Sequence, residues 1–458
     1  MLFNSQPFIL VFLPLVLALY YAAAEHRALR QSIVIVASLV FYGWWDVRFV
    51  PLLAGLTVAN WLVARAFGRW RHAAIPAAGV AMNLAALGFF KYASFLAGNV
   101  AAVFGLSAPH FDIVLPLGLS FFVFQKISYL IDLKRGDGHF YGFLDFCMFV
   151  IFFPQLIAGP LVRHNEIIPQ FEHSPLRPEV WENLGRGLLL FTCGLVKKVA
   201  LADTIAPFAD RLFHIAATGG PLNAAIAWAA AGTYALQIYF DFSGYSDMAI
   251  GLARMFGLVL PINFDAPYRA VSIRDFWRRW HITLSRFLRD YLYIPLGGNR
   301  RGPARQAANV IATMLLGGLW HGAGWTFVAW GGMHGAALAA NGAWDRAGLR
   351  MPRVLGWAVT LAFVVACWVL FRAPDFTTAG RMLTAMTGAG GIGHVKVDNA
   401  GVVVIAAALA LLGPTSQELS LRRLPPARWV ALPAGAALVA ILLLVGGRIP
   451  NAFIYFQF

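Results

Sequence analysis

The chain encodes an all-α polytopic membrane protein, and three observations lead to that reading. Of its 458 residues, 59% are hydrophobic and 12% charged, with mean hydropathy +0.67, about half the charged share of roughly 25% found in soluble domains. Apolar runs of bilayer-crossing length recur from Phe8 to Val445 with short polar breaks between them. The formal charge of +15, from 36 Lys and Arg against 21 Asp and Glu, suits loops facing an anionic leaflet. A soluble domain is excluded, membrane lipids are the expected surroundings, and no nucleic-acid partner is expected. Cys147, Cys193 and Cys367 each sit alone in apolar surroundings, which signals no disulfide framework, zinc knuckle or thiol nucleophile.

The first run, Phe8 to Ala24, ends in small residues as a signal peptide does, but no Lys or Arg precedes it, so it is expected to be a retained first span. Basic residues follow it at Arg27 and Arg30, then at Arg65, Arg69 and Arg71, then at Lys134 and Arg135. The positive-inside rule therefore points the N-terminus outward and these loops to the cytoplasm. Further spans are expected near 32–45, 50–64, 73–95, 113–131, 143–157, 184–201, 222–238, 310–320, 326–340, 354–370, 401–412 and 430–445. Several are shorter than the roughly 20 residues a straight crossing needs, so tilted, re-entrant or buried helices are expected among them. Gly-rich Thr387 to Val397 is the expected loose loop. The whole chain, 1–458, reads as one membrane domain, with 239–334 as its core and 450–458 as an aromatic tail.

Three features in that core ask for more than packing. At Tyr239-Phe240-Asp241-Phe242-Ser243-Gly244-Tyr245-Ser246-Asp247, at the end of an apolar run, carboxylates sit at membrane depth, where charges are costly. On a helix, Asp241 and Tyr245 lie four apart, as do Ser243 and Asp247, and can brace one another. A packing node and a chemical role both stay open here. The second feature, Tyr268 to Arg305, holds Arg269, Arg274, Arg278, Arg279, Arg286, Arg289, Arg300, Arg301 and Arg305 against Asp275 and Asp290. Asp275 with Arg279 and Arg286 with Asp290 are helical pairs, and Trp277, His281, Leu284 and Leu288 share a face, so a basic amphipathic helix is expected. It is either a helix lying on an anionic leaflet or the mouth that attracts a polyanionic ligand such as a phosphate-bearing coenzyme. The third, Leu315 to Trp325, places His321 between glycines in an apolar segment. Imidazole suits a general base at neutral pH, and the flanking glycines are expected to deny it ordinary packing.

No Gly-x-Ser-x-Gly elbow, Gly-x-x-x-x-Gly-Lys loop, His-x-x-x-x-Asp or Asp-x-Asp pattern accompanies these residues. Serine hydrolase, ATPase and metal-dependent glycosyltransferase readings weaken accordingly. Direct group transfer to a hydroxyl is what a buried histidine below a basic mouth suits.

Pro261-Ile262-Asn263-Phe264-Asp265-Ala266-Pro267-Tyr268, Arg274-Asp275-Phe276-Trp277-Arg278-Arg279-Trp280-His281-Ile282-Thr283-Leu284-Ser285, Tyr293-Ile294-Pro295-Leu296-Gly297-Gly298-Asn299-Arg300 and Leu319-Trp320-His321-Gly322 stand in this order along the chain. In order and spacing these blocks resemble the membrane-bound O-acyltransferase family, in its bacterial branch of alginate O-acetylation and teichoic-acid D-alanylation membrane proteins. The resemblance implies a ring of roughly 11–13 transmembrane and re-entrant helices around a central tunnel. It implies His321 as the intramembrane catalytic histidine, His281 as its cytoplasmic-side companion, and Asp241, Tyr245, Asp247, Asn263 and Trp320 as supporting residues. It further implies acetyl-CoA as donor substrate, with no tightly bound cofactor; Arg278, Arg279 and Arg289, whose planar guanidiniums suit phosphates, are the expected contacts of that coenzyme. A bacterial inner-membrane location, a periplasmic SGNH-type acetyltransferase partner and polysaccharide-synthesis machinery are likewise implied.

The tail Pro450-Asn451-Ala452-Phe453-Ile454-Tyr455-Phe456-Gln457-Phe458 carries four aromatics and no charged side chain. It is similar to the C-terminal signature of the small partner peptide of D-alanylation systems. That similarity implies that the tail docks in the outer mouth of the tunnel and that Tyr455 receives the acetyl group there. An aromatic anchor at the interface is the other reading. For the chain as a whole, a transporter or flippase of an acylated or lipid-linked precursor also fits glycine-interrupted spans with midplane polar groups. A scaffold for other envelope enzymes is the third reading.

Overall fold

The computed structural model describes residues 1–107, 109, 111–425, 427–445 and 453–454. Among them regular structure is helical throughout, with no strand. A π-helical turn, Phe8–Phe12, leads into α1 (Leu13–Ala22), α2 (Arg27–Gly43), α3 (Val50–Trp70) and α4 (Ala74–Leu87), the last continuing into α5 (Ala93–Phe104). Next come α6 (Leu119–Arg135), α7 (Phe143–Ile151), the short α8 (Phe153–Leu156) and α9 (His164–Ile167), α10 (Val180–Val196), α11 (Asp203–Ala217) and the long α12 (Ala224–Met255). The remainder is α13 (Ile273–Arg279), α14 (Ile282–Leu288), α15 (Gly302–His321), α16 (Trp325–Arg346), α17 (Arg353–Arg372), α18 (Phe376–Met386), α19 (Ala400–Leu411) and α20 (Arg428–Val445). Val47–Trp70, Ala74–Phe104 and Arg353–Arg372 are long and apolar enough to cross a bilayer, and Phe8–Ala22, Ala400–Leu411 and Trp429–Val445 are shorter apolar helices. The protein is a polytopic, all-α membrane protein.

The chain divides into two compact units. The first comprises Met1–Thr192, Tyr245–Pro261 and the described residues from Ser420 on to Val445. Its helix α6 is bounded by two glycines in the left-handed region, Gly118 (φ 71°) and Gly136 (φ 88°). Gly136 closes the helix in the usual way, its N–H donating to the Leu133 carbonyl while the Asp137 N–H reaches the Asp132 carbonyl. A Cβ at Gly118 would stand 2.8 Å from the Leu156 carbonyl oxygen, so no other residue fits there. Helices α3 and α4 are tied by a reciprocal amide pair: Asn60 donates to Asn83 at 3.2 Å and Asn83 returns a bond at 2.7 Å, both side chains fully buried. Interhelical amide bonds of this kind join membrane helices where apolar burial supplies no drive.

The second unit comprises Cys193–Gly244, Ile262–Leu419 and the described tail residues Phe453 and Ile454. Its centre is the antiparallel pair α15 and α16. A methyl on Gly318 would collide with the Phe327 carbonyl and one on Gly331 with the Met314 carbonyl, so these two positions let the backbones touch. A column of indoles covers the pair, Trp330 lying 5.7 Å from Trp368 of α17 and Trp368 4.9 Å from Trp280, all fully buried. Beyond α17, Asp375 caps α18 by accepting from the Thr378 N–H at 2.7 Å, a bond that holds its carboxyl below the usual carboxylate range.

Three expectations change. The 113–131 span begins only at Leu119, because Pro116 and left-handed Gly118 break the chain before it. The span expected to end at Ile238 runs on to Met255, so Asp241 to Asp247 lie within a helix rather than at its end. The single amphipathic helix is two short ones, broken at Trp280 and His281, because His281 itself is left-handed (φ 42°, ψ 55°).

Candidate functional site

A β-unbranched but bulky residue at positive φ is uncommon and needs its surroundings to hold it. At His281 the hold comes from the Asn263 loop. The Ile282 N–H donates to the Asn263 carbonyl (2.9 Å) and the Asp265 N–H to the Arg279 carbonyl (2.9 Å), lacing loop to turn. The Asn263 Oδ1 takes three further bonds, from the Thr283 N–H (3.2 Å), the Thr283 hydroxyl (2.9 Å) and His281 Nδ1 (3.1 Å). A backbone N–H can only donate, so the Asn263 atom facing it is the oxygen, and His281 Nδ1 must carry a proton. In the neutral ring Nε2 is then the basic nitrogen. His281 is fully buried, and in this neutral form its Nε2 accepts a hydrogen bond and donates none.

His321 stands at the C-terminal end of α15, 4% exposed. Its ring is enclosed by Trp320 (4.9 Å), Trp330 (5.1 Å, edge-on) and Phe371 (5.4 Å). The expectation that its glycines deny it ordinary packing is corrected here: Gly318 and Gly331 serve the α15–α16 contact, and the histidine is packed by aromatic rings. Trp320 lies between the two histidines, 6.3 Å from the His281 ring and 4.9 Å from the His321 ring. A third histidine continues the series: His334, fully buried on α16, lies 4.8 Å from Trp330, and its Nδ1 accepts the Trp277 indole N–H at 3.2 Å.

Asp241 is buried and pairs with Lys198, Nζ to Oδ1 at 2.5 Å. Lys198 also holds Asp203 at 2.7 Å. The second Asp241 oxygen accepts the Ile454 backbone N–H at 2.8 Å. Ile454 is thus anchored through its main chain. Phe453 packs 5.3 Å from Phe242, which meets the His281 ring edge-on at 4.7 Å. Phe453 and Ile454 are both buried; Tyr455 lies outside the described residues. Tyr245, in the first unit, stacks on Phe3 at 4.8 Å, and Asp247 there is fully buried. Among the described residues the buried Ser243 hydroxyl has no hydrogen-bond partner, so the expected brace to Asp247 does not form.

The three arginines assigned to a donor differ in state. Arg279 is held by Asp275 (2.9 Å) and donates to the Asp265 carbonyl, so the expected i, i+4 pair forms. Arg289 pairs with Asp290 at 2.7 Å with its side chain well exposed. Arg278 is exposed and makes no ion pair among the described residues. Sequence reasoning missed Lys198, Thr283 and His334. Lys198 was legible, since a lysine inside the apolar run Leu188 to Leu201 calls for an acid at the same depth. Thr283 and His334 carry no pattern of their own.

An α-helical membrane protein whose polar interior is a set of packed imidazoles, held by amide and aromatic contacts, is the class these features define. The chain belongs to the membrane-bound O-acyltransferase family, whose model matches residues 82–376, and is therefore an acyltransferase. It is 41% identical over 428 residues to a peptidoglycan O-acetyltransferase of Helicobacter pylori, covering 86% of this chain and 81% of that protein. It is 44% identical over 406 residues to a probable alginate O-acetylase of Pseudomonas aeruginosa, covering 84% and 75%. A teichoic acid D-alanyltransferase of Streptococcus thermophilus is 29% identical over 243 residues, half of this chain and 57% of that protein.

Proposed function

We propose that the protein takes acetyl groups from cytoplasmic acetyl-CoA and passes them across the bacterial inner membrane for O-acetylation of an extracytoplasmic polysaccharide of the alginate kind. The names of its relatives in Helicobacter pylori and Pseudomonas aeruginosa support the class of acceptor. The observation that carries the chemistry is the Trp320-bridged pair of His281 and His321, with the tail residue Phe453 leaning on Phe242 beside His281.

In this reading His321 is the general base. It takes the proton of the acceptor hydroxyl as that oxygen attacks the thioester carbon. The carbon–oxygen bond forms, the carbon–sulfur bond breaks, and the proton returns to the departing thiolate. His281, with Nδ1–H fixed by Asn263, presents Nε2 as an acceptor that orients a hydroxyl. Arg278, Arg279 and Arg289 meet the coenzyme phosphates, for which the planar guanidinium is suited. Tyr455 takes the acetyl group as an aryl ester and gives it to a periplasmic SGNH-type acetyltransferase serving the polysaccharide machinery. Placement of the tail by Asp241 supports this step. Acetyl content of the secreted polymer tests the sequence of events. His321→Ala should abolish it, and Tyr455→Phe, which keeps the ring, should do the same; full acetylation in the Tyr455 variant would remove the tail from the pathway.

A further inference from the structure

Helices α16 and α17 of the second unit diverge to leave a cavity of about 420 Å³, closed at one end by the start of α13. That volume falls in the range of ligand pockets, roughly 300–1,000 Å³. Its floor is apolar, formed by Ala337, Ala340, Met351, Val359 and Phe363. Val359 is 51% exposed on a helix long and apolar enough to cross the bilayer, so the open side of the floor faces hydrocarbon.

The polar end is different. Asp345 is paired with Arg274 at 2.6 Å and takes a bond from Asn341. Gly342 lies beside them, and a Cβ on it would be 3.4 Å from Arg346 Nη1 and 3.9 Å from Arg274 Nη2, so two guanidiniums converge there. Arg346 otherwise bonds only the neutral Gln306 amide (3.2 Å) among the described residues. Arg350 and Arg353 follow, both exposed and without an ion pair among the described residues. Two guanidiniums thus converge beside a single carboxylate, and the N-terminal end of α17, carrying partial positive charge, borders the same end through Gly356.

An apolar trough open to hydrocarbon, ending beside Arg274, which Asp345 holds, and Arg346, which no carboxylate holds among the described residues, matches an amphiphile with a phosphate head and an acyl chain. A coenzyme's polar adenosine body would lie mostly against apolar side chains here, with Ser272, Asn341 and Thr360 the uncharged polar groups of the lining. We propose that the groove binds an anionic phospholipid of the surrounding leaflet, one acyl chain against Ala337 and Phe363 and the phosphate between Arg274 and Arg346. This proposal does not rest on the acetyl-transfer reading, and none of the groups assigned to that chemistry lines the groove.

The full chain, purified in mild detergent, is mixed with palmitoyl-oleoyl phosphatidylglycerol or the matching phosphatidylcholine, and retained lipid is counted by native mass spectrometry. The expected result is retention of phosphatidylglycerol over phosphatidylcholine. Arg274→Gln with Arg346→Gln should weaken that retention by about tenfold or more, the scale of a lost charge-assisted bond. Ala337→Phe, which fills the trough without touching charge, should lower retention of both lipids, with elution and unfolding temperature showing that each variant is folded. Equal retention of the two lipids by the native chain, unchanged phosphatidylglycerol retention in the variants, or its displacement by coenzyme A would each overturn the proposal.

Discussion

Asn263 is the residue on which the geometry of the site turns. One amide oxygen sets the His281 tautomer, satisfies the Thr283 N–H and so stabilises a left-handed turn. Replacing it by Ala removes the acceptor that serves a buried N–H and a buried imidazole N–H, at a cost of about 1–3 kcal/mol each. Asn263→Ala should therefore lower both the unfolding temperature and the acetylation rate, and the rate should fall further than the stability alone explains. A variant equal to the native protein in rate would refute the assigned tautomer role. Lys198 carries a second expectation. Lys198→Met strands the buried Asp241 carboxylate, and removing one partner of such a pair typically costs about 3–5 kcal/mol. Lys198→Met combined with Asp241→Asn should recover much of that loss in thermal unfolding, whereas additive losses would mean the two residues act separately. Of these residues the histidines and Asn263 were legible as chemistry-bearing types in an apolar setting. What Asn263 does was not legible, because its partners are 18 and 20 residues away in sequence and only the folded turn joins them.

At the scale of elements, periodicity located most of the helices, since apolar runs in a membrane protein leave few alternatives to a helix. It failed where a residue adopts a conformation its type disfavours. Trp277, His281, Leu284 and Leu288 satisfy a helical face on paper, yet the backbone breaks at His281 because the Asn263 loop bonds the turn. The same limit explains the glycines beside His321, whose role appears only when α16 lies against α15. Gly331→Leu should separate that pair. Overpacking of this kind typically costs 1–3 kcal/mol and more where a backbone is displaced, so the variant should lose thermal stability and acetylation together. Gly348→Ala, at an exposed positive-φ turn with open space around it, should lose a little stability and keep its rate. A Gly331→Leu protein of native stability would contradict the close contact.

For the whole molecule, the resemblance carried more than composition did. Composition and charge fixed a basic, polytopic, all-α membrane protein, but the Asn263, His281 and His321 blocks identified an acyltransferase, and residues 82–376 match that family. The Arg-rich stretch was legible only as charge, since the split into carboxylate-held Arg279 and Arg289 and open Arg278 depends on local pairing. Arg278→Glu should accordingly weaken acetyl-CoA binding more than Arg279→Gln, and native binding should weaken as salt is raised; insensitivity to both would move the coenzyme elsewhere. The most direct measurement is the fate of the thioester itself. Native protein and folded His321→Ala protein, each reconstituted in vesicles, are given acetyl-CoA, and free coenzyme A thiol is followed with time. The native protein should release thiol, and the variant should do so about a hundredfold or more slowly. Acetyl-CoA left intact by the native protein, or consumed equally by both, would contradict this expectation.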